Sequence, residues 1–252
     1  MAAPSNKPFL AVICRPAPDI IASELDRIST FGDLSGSELE AVLMVSEPVP
    51  QLSEVNLDNY SGVFLSGSEY TFGDPPGKRH PGQDELEDQL LEFSERLIAQ
   101  DFPTLGICYG MHALNLAAGG SLTGAFGEDI GAPVISLTEA GLTDELTGQL
   151  PRNFQSFLGH HDSVGTPPEG SAVLAYSELC PIQMLRIGNN LYGTQFHPEI
   201  DNEGMKIRND YYAGDYFDLE KAETIEKERA AADVDGANYL ITAFTQRYRR
   251  RY

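Results

Sequence analysis

The chain has 252 residues, of which 41% are hydrophobic and 22% charged, a composition typical of a globular domain. Acidic residues outnumber basic ones by 38 to 17, and the net charge of −21 argues against a nucleic-acid or anionic-membrane partner. No apolar run approaches the roughly 18 residues of a membrane-spanning helix, and residues 9–15 are more typical of a first strand than of a secretory leader. These properties together predict a cytoplasmic protein.

The three cysteines, Cys14, Cys108 and Cys180, lie far apart and form no C-x-x-C pair. This pattern predicts free thiols in a reducing compartment rather than a disulfide framework or a zinc site. The five histidines show no ligand spacing such as H-x-x-x-H, and His160 and His161 are adjacent and diverge. We therefore expect neither a metal nor a cofactor.

The first part of the chain alternates apolar runs with helical patterns. Four runs rich in aliphatic residues predict strands buried on both faces: 9–15, 41–46, 62–67 and 102–108. An amphipathic helix is predicted between the third and fourth runs, where apolar residues follow one helical face: Leu86, Leu90, Phe93 and Leu97. Residues 19–31 give a weaker helical pattern. This order predicts an α/β fold, a doubly wound, mostly parallel sheet with helices on both faces.

The pattern changes from about residue 130. Short strand-like segments separated by turns predict hairpins or a mixed sheet edge: 132–137, 172–177, 182–188 and 190–196. After His197 the pattern is helical again. A terminal helix is predicted to dock through one apolar stripe: Tyr239, Ile241, Thr242, Phe244, Thr245 and Tyr248. We expect one domain over residues 1–200 and a helical C-terminal extension over 201–252 packed on it.

A possible nucleophile lies in the segment Gly106-Ile107-Cys108-Tyr109-Gly110, which has the pattern G-x-C-x-G. This is the thiol version of the nucleophile elbow, in which strained backbone angles and small flanking residues expose a nucleophile between a strand and a helix. The helix that follows would stabilise a thiolate, and the amide of Tyr109 is a natural oxyanion-hole donor. The same pattern also fits a buried cysteine that only packs.

A thiol nucleophile needs a base, and the base needs an orienting group. Among the histidines, only His197 has a context that supplies this group, in the segment GTQFHPEI. In an extended chain His197 and Glu199 project to the same side, and Pro198 holds the link stiff. The sequence therefore predicts Cys108 as nucleophile, His197 as base and Glu199 as the carboxylate that fixes its tautomer.

Three motifs in order, FLSGSEY, LGICYGMH and GTQFHPE, resemble the class I, triad-type glutamine amidotransferases. The resemblance is strongest to the amidotransferase domain of GMP synthetase and its stand-alone relatives, covers roughly residues 8–200 and implies a flavodoxin-like architecture. In that family a cysteine attacks the side-chain amide of glutamine, ammonia leaves, and water releases glutamate from the thioester. The resemblance assigns Gly67, Ser68 and Tyr109 to the oxyanion hole. Ser68 and Glu69 replace a glycine and a proline of the family's S-G-G-P turn.

The resemblance also implies substrate-binding side chains. His112 stands where the family has a glutamine that contacts the amino-acid end of the substrate. His160 and Asp162 match the family's S-H-x-D segment, with His161 between them. His112 either tunes specificity or packs under the first helical turn, and the sequence leaves both alternatives open.

Two functions remain at the level of the sequence. The chain ends about 50 residues after Glu199 and has no Walker-type phosphate loop, so ammonia released from glutamine would go to a separate synthetase. Alternatively, the protein is a stand-alone hydrolase of γ-glutamyl amide bonds in peptides or small conjugates, which the altered pocket favours. A catalytically idle binding subunit is disfavoured, because cysteine, histidine and glutamate are retained together.

Overall fold

The structure, a computed structural model, describes residues 6–46, 48–212 and 222–252. The strands are β1 (Phe9–Ile13), β2 (Leu39–Leu43), β3 (Val63–Leu65), β4 (Thr104–Ile107), β5 (Ser121–Thr123), β6 (Glu128–Gly131), β7 (Val134–Leu137), β8 (Asn153–Gln155), β9 (Leu158–His160), β10 (Ser163–Thr166), β11 (Ala172–Tyr176), β12 (Met184–Ile187) and β13 (Leu191–Thr194). The helices are α1 (Pro18–Phe31), α2 (Gln83–Ala99), α3 (Tyr109–Ala117), α4 (Glu139–Thr143), α5 (Asn202–Tyr212), α6 (Ala222–Ala231) and α7 (Asp235–Tyr248).

Nine strands form the central sheet in the order β2-β1-β3-β4-β13-β12-β11-β7-β8. The strands from β2 to β13 in this order run parallel, and those from β12 to β8 continue the sheet with antiparallel pairs. Two small antiparallel ribbons, β10 with β5 and β6 with β9, lie outside it. The predicted α/β fold class is confirmed, and the antiparallel half is the mixed sheet edge expected after residue 130.

Side chains of the parallel strands alternate between two apolar layers. Phe9 of β1 and Phe64 of β3 lie in the layer that includes Phe244 of α7, and the three rings contact one another at centroid distances of 5.3–6.0 Å. Leu10, the next residue of β1, packs in the opposite layer with Leu90 of α2. Each fully buried side chain of this size contributes about 1.5–3 kcal/mol. Helices therefore cover both faces of the sheet.

Two details differ from the sequence prediction. The strand predicted to be buried on both faces over 41–46 is the edge strand β2, and none of its five residues is fully buried. An edge strand has one neighbour only, which an apolar run does not reveal. In α7, Tyr239 is 39% exposed and Leu240 is buried instead. The helical period explains this difference, because Leu240 is four residues before Phe244 and shares its face, whereas Tyr239 does not.

Helix α7 is anchored to the end of α1. The hydroxyl of Thr242 donates to the Phe31 carbonyl at 2.7 Å, and that of Thr245 donates to the Gly32 carbonyl at 2.9 Å. The helix thus contributes to the core, while the division of the chain at residue 200 stays a prediction. Among the described residues, no helix combines the length and apolarity needed to cross a membrane.

Four loops meet at one edge of the sheet. The strands β1, β3, β4 and β13 are consecutive and parallel, so their carboxyl ends lie side by side. Arg15 follows β1, Gly67 follows β3, Cys108 follows β4 and His197 follows β13. In open α/β sheets ligands bind outside the carboxyl ends of the strands. The topology thereby brings together residues that are far apart in the sequence.

Candidate active site

Cys108 occupies a strained position between β4 and α3. Its backbone angles are φ 50° and ψ −101°, and its N–H donates to the Thr194 carbonyl at 2.6 Å. A Cβ atom on Gly106 would lie 2.7 Å from the Gly110 carbonyl, and one on Gly110 would overlap the backbone of Leu65. Both flanking glycines are therefore required by close approach of the backbone, as the elbow pattern predicts. Strain of this kind is typical of functional sites.

His197 and Glu199 lie on the same side of the segment after β13, next to Cys108. Nδ1 of His197 is 2.7 Å from Oε1 of Glu199, and the imidazole is close enough to Cys108 for the thiol to raise its pKa. Burial alone would lower the pKa of His197, but the charges and hydrogen bonds of Glu199 and Cys108 raise it to about 9. Burial would raise the pKa of Glu199, but the charge and hydrogen bond of His197, helped by Arg208, lower it to about 2. At neutral pH the pair is thus an imidazolium and a carboxylate.

A second layer of charge lies behind Glu199. Arg208 of α5 approaches both Glu199 and Glu24 of α1 with N–O distances of 3.5 Å. Glu24 in turn pairs with Nε of Arg15 at 3.0 Å, and all four side chains are buried. Burial raises the pKa of Glu24, and the charge of Arg15 opposes this effect. The two carboxylates and two guanidinium groups tie α1 and α5 to the site.

Replacing Arg208 by methionine is expected to lower the free energy of unfolding by about 3 kcal/mol, because it leaves Glu24 and Glu199 with less compensation for their buried charge. Urea denaturation measures this loss. Arg152→Met is the matched control, because Arg152 pairs with Glu139 at the surface, where the side chains are 61% and 86% exposed. The control should cost less than about 1 kcal/mol. An equally small loss in both variants would show that the buried network does not stabilise the fold.

The predicted oxyanion turn follows β3. A Cβ on Gly67 would overlap the Arg15 guanidinium and lie 2.9 Å from Cε1 of His197, so glycine is needed here for space. The hydroxyl of Ser68 donates to the Cys14 carbonyl at 2.7 Å and fixes the turn against the end of β1. Ser68 is not among the residues with a positive φ in the described part of the chain. Serine at this position is therefore compatible with the backbone of the turn.

Tyr109, the third predicted oxyanion-hole residue, is the first residue of α3. Its backbone N–H belongs to the helix N-terminus that begins beside Cys108. The ring stacks on Phe72 at a centroid distance of 4.4 Å, and its hydroxyl donates to Glu87 at 3.0 Å. Burial raises the pKa of Tyr109. Phe72 and Glu87 therefore hold the ring and the hydroxyl of Tyr109, and its backbone N–H is the group that fits the predicted role.

A cavity of about 410 Å³ opens beside Cys108. All four predicted substrate-binding residues line it: His112, His160, His161 and Asp162. Both ring nitrogens of His160 are engaged, Nδ1 with the Asp162 carbonyl at 2.9 Å and Nε2 with Glu128 at 3.1 Å. His112 is buried, and its Nε2 lies 2.9 Å from Oε1 of Gln195. Neighbouring groups therefore engage both ring nitrogens of His160 and Nε2 of His112.

Sequence reasoning missed three side chains of the site: Arg15, Gln195 and Arg208. Gln195 had a usable signal, because the alternation that links His197 with Glu199 also places Gln195 on that side of the chain. Arg15 also had one, as a charged residue directly after a buried strand. Arg208 had none, since its distance from the site depends on how α5 packs.

One group of side chains in the described part of the chain could offer three ligands to a metal ion. Single ligand atoms of Glu128, His160 and Cys180 lie within 4.8 Å of one another. They come from separate segments, which is why the spacing of the sequence predicts no metal site. The Glu128 carboxylate already accepts hydrogen bonds from Ser177 and Gln183. As it stands, the group is a buried polar network that supports the cavity wall.

The α/β sheet and the juxtaposition of Cys108 with the His197–Glu199 pair are the features that the sequence resemblance implies, and comparison with known proteins gives the family. The family model "Glutamine amidotransferase class-I" matches residues 36–209, and the chain belongs to this family. The predicted family is thereby confirmed.

Curated relatives include two kinds of enzyme. Gamma-glutamyl peptidase 3 of Arabidopsis thaliana is 30% identical over 183 residues, which cover 70% of this chain and 68% of the peptidase. A glutamine-hydrolysing GMP synthase of Marinobacter nauticus is 31% identical over 162 residues, 61% of this chain and 28% of the synthase. The chain thus spans less than a third of that synthase. The solved structure of a glutamine amidotransferase from Thermotoga maritima has a TM-score of 0.73 at 19% identity, over 97% of this chain and 99% of that one, and shows the shared fold.

Proposed function

We propose that the protein is a cysteine-dependent hydrolase that cleaves the γ-amide bond of a glutamyl substrate through a glutamyl thioester. One observation carries this proposal: Cys108 and His197 are buried side by side on the wall of the cavity, and His197 is hydrogen-bonded to Glu199 behind it. Membership of the class-I glutamine amidotransferase family supports the reaction class.

In the first half of the proposed reaction, the Cys108 thiolate attacks the carbon of the γ-amide. The negative charge that develops on the carbonyl oxygen is stabilised by the N–H of Tyr109 and by the turn at Gly67 and Ser68. His197 gives its proton to the amide nitrogen, the C–N bond breaks and the amine or ammonia leaves. Glu199 holds the imidazole in orientation and stabilises its positive charge.

In the second half, the neutral His197 takes a proton from a water molecule. The resulting hydroxide attacks the carbonyl carbon of the thioester, the C–S bond breaks and Cys108 leaves as a thiolate. Glutamate is released and the imidazolium–thiolate pair is restored. The net reaction consumes one water and needs no cofactor.

The size of the cavity favours a γ-glutamyl peptide or small conjugate as the substrate. About 410 Å³ falls in the range of sites that bury ligands considerably larger than an amino acid. The wall extends from Ser68 to Met205 and Asn209 of α5, so a leaving group larger than ammonia has room beside Cys108. The similarity to a γ-glutamyl peptidase, which covers about the same share of both proteins, supports this choice.

Hydrolysis of free glutamine to supply ammonia to a separate synthetase is the second candidate. It is supported by the similarity to glutamine-hydrolysing GMP synthases. In this case the acceptor would bind to that separate synthetase. A cytoplasmic location is a prediction common to both candidates.

A substrate panel separates the two candidates. We expect kcat/KM for γ-glutamyl dipeptides and γ-glutamyl amines to exceed that for glutamine by about 10-fold or more, because binding of the leaving group adds to transition-state stabilisation. Release of glutamate is measured with and without cell extract, and Cys108→Ala gives the background. Glutamine hydrolysis that appears only with a co-purifying partner would support the ammonia-donor function instead.

A further inference from the structure

A chain of two hydrogen bonds connects His112 to the sulfur of Cys108. Gln195, the residue directly after β13, lies between them and is fully buried. Its Nε2 is 3.6 Å from Sγ of Cys108, and its Oε1 is 2.9 Å from Nε2 of His112. The backbone N–H of Gln195 donates to the Gln183 carbonyl at 2.8 Å, which fixes the residue against β12.

The protonation state of His112 determines the direction in which these two hydrogen bonds donate. Burial lowers the pKa of His112 to about 4, against the opposing effect of its bond with Gln195. His112 is therefore a neutral imidazole at physiological pH, with one ring N–H. When that hydrogen is on Nε2, it donates to Oε1 of Gln195, and the amide N–H₂ is left to face the sulfur.

The opposite orientation is disfavoured beside a thiolate. Flipping the Gln195 amide would turn Oε1 toward the sulfur of Cys108, and two negative groups would face each other in a buried site. His197 carries a proton at neutral pH, and its positive charge lies close to this sulfur. The thiolate form of Cys108 thus selects the orientation in which Gln195 donates.

We propose that Gln195 is a catalytic residue that donates a hydrogen bond to the Cys108 thiolate, and that His112 is a positioning residue that acts through Gln195. This inference rests on the proposed function, because it presupposes that Cys108 is the nucleophile. The sequence leaves two alternatives for His112, tuning of substrate specificity and simple packing. The inference gives it a third role, support of Gln195. The histidine supports the nucleophile and does not read the amino-acid end of the substrate.

The test uses Gln195→Met, which keeps the length of the side chain and removes the donor. We expect the rate of Cys108 alkylation by iodoacetamide, followed by mass spectrometry across pH, to rise at higher pH than in the parent protein. We expect kcat to fall about 10- to 100-fold, the range for one hydrogen bond to a charged group, with little change in KM. Gln155→Met is the control, because Gln155 lies on the edge strand β8 outside the cavity. This variant should leave the alkylation profile of Cys108 and kcat unchanged.

Two variants of His112 complete the test. His112→Leu removes the support for Gln195 and should shift the alkylation profile in the same direction. The double variant of His112→Leu with Gln195→Met should behave as Gln195→Met alone, because both changes act through one donor. His112→Gln restores an N–H that can reach Oε1 of Gln195 and should recover most of kcat. Thermal unfolding of each variant identifies any that fails to fold, and His112→Gln, the mildest change, keeps the comparison possible.

The outcomes separate this inference from the proposed function. If His112→Leu or His112→Gln changes KM and leaves the alkylation profile of Cys108 unchanged, His112 reads the substrate and the inference is wrong. Additive effects in the double variant would also contradict it. If turnover does not depend on Cys108 at all, the proposed function fails first, whatever the variants of Gln195 do.

Discussion

Cys108→Ala is expected to lower kcat/KM by about 10⁶-fold, which leaves no measurable hydrolysis. The alanine has no nucleophile to form the thioester, and neither Cys14 nor Cys180, both of them buried, lines the cavity. Glutamate release from a γ-glutamyl substrate measures the loss. Mass spectrometry of acid-quenched enzyme should detect a glutamyl adduct on the parent protein and none on the variant.

Cys14→Ala is the matched control for this experiment. Cys14 is fully buried after β1, and burial raises the pKa of its thiol to about 12, so it stays protonated and unreactive. Its replacement should leave the adduct and the rate of hydrolysis in place. Hydrolysis at the parent rate by Cys108→Ala would rule out the thioester mechanism.

Glu199→Gln is expected to lower kcat/KM by about 10⁴-fold, the effect of losing the orienting carboxylate in a comparable triad. Its effect on pH dependence is equally specific. Burial depresses the pKa of His197, and the charge of Glu199 is the main opposing cause that raises it to about 9. Without that charge the pKa of His197 falls, so the imidazolium is lost at a lower pH. The alkaline limb of the pH–rate profile should move to lower pH.

The pH–rate profile and an NMR titration of the His197 ring measure this shift. Glu203→Gln is the control, because Glu203 is an exposed residue in the first turn of α5, the helix that also carries Arg208. It should leave both the rate and the alkaline limb unchanged. An alkaline limb that does not move in Glu199→Gln would mean that the carboxylate does not set the charge of His197.

The part of the site that the sequence predicted is the part encoded by neighbouring residues. Cys108 has a glycine two residues to either side, which the sequence pattern shows directly. His197 is two residues before Glu199, the carboxylate that it contacts. The central strands were equally predictable, because burial on both faces produces continuous apolar runs. Strand β2 has a similar apolar run but lies exposed at the edge of the sheet. Its burial was predicted wrongly because the sequence does not show which strands have a neighbour on each side.

The remaining features depend on distances that arise only in the folded chain. Arg208 pairs with Glu24 because α5 packs near α1. The sequence of neither helix indicates this contact. His160 matches a substrate-binding motif, yet the fold engages both its ring nitrogens with Glu128 and a backbone carbonyl. His112 is assigned by the motif to the substrate, and its observed partner is Gln195. A motif identifies the residue, but tertiary packing decides what that residue contacts.

The backbone of Cys108 also places chemistry and stability in opposition. Angles of φ 50° and ψ −101° are accessible to glycine but cost about 1–3 kcal/mol for a residue with a side chain. Glycine at 108 would relieve that strain but, under the proposed mechanism, would remove the nucleophile, so this backbone strain is a cost of placing a thiol at the elbow.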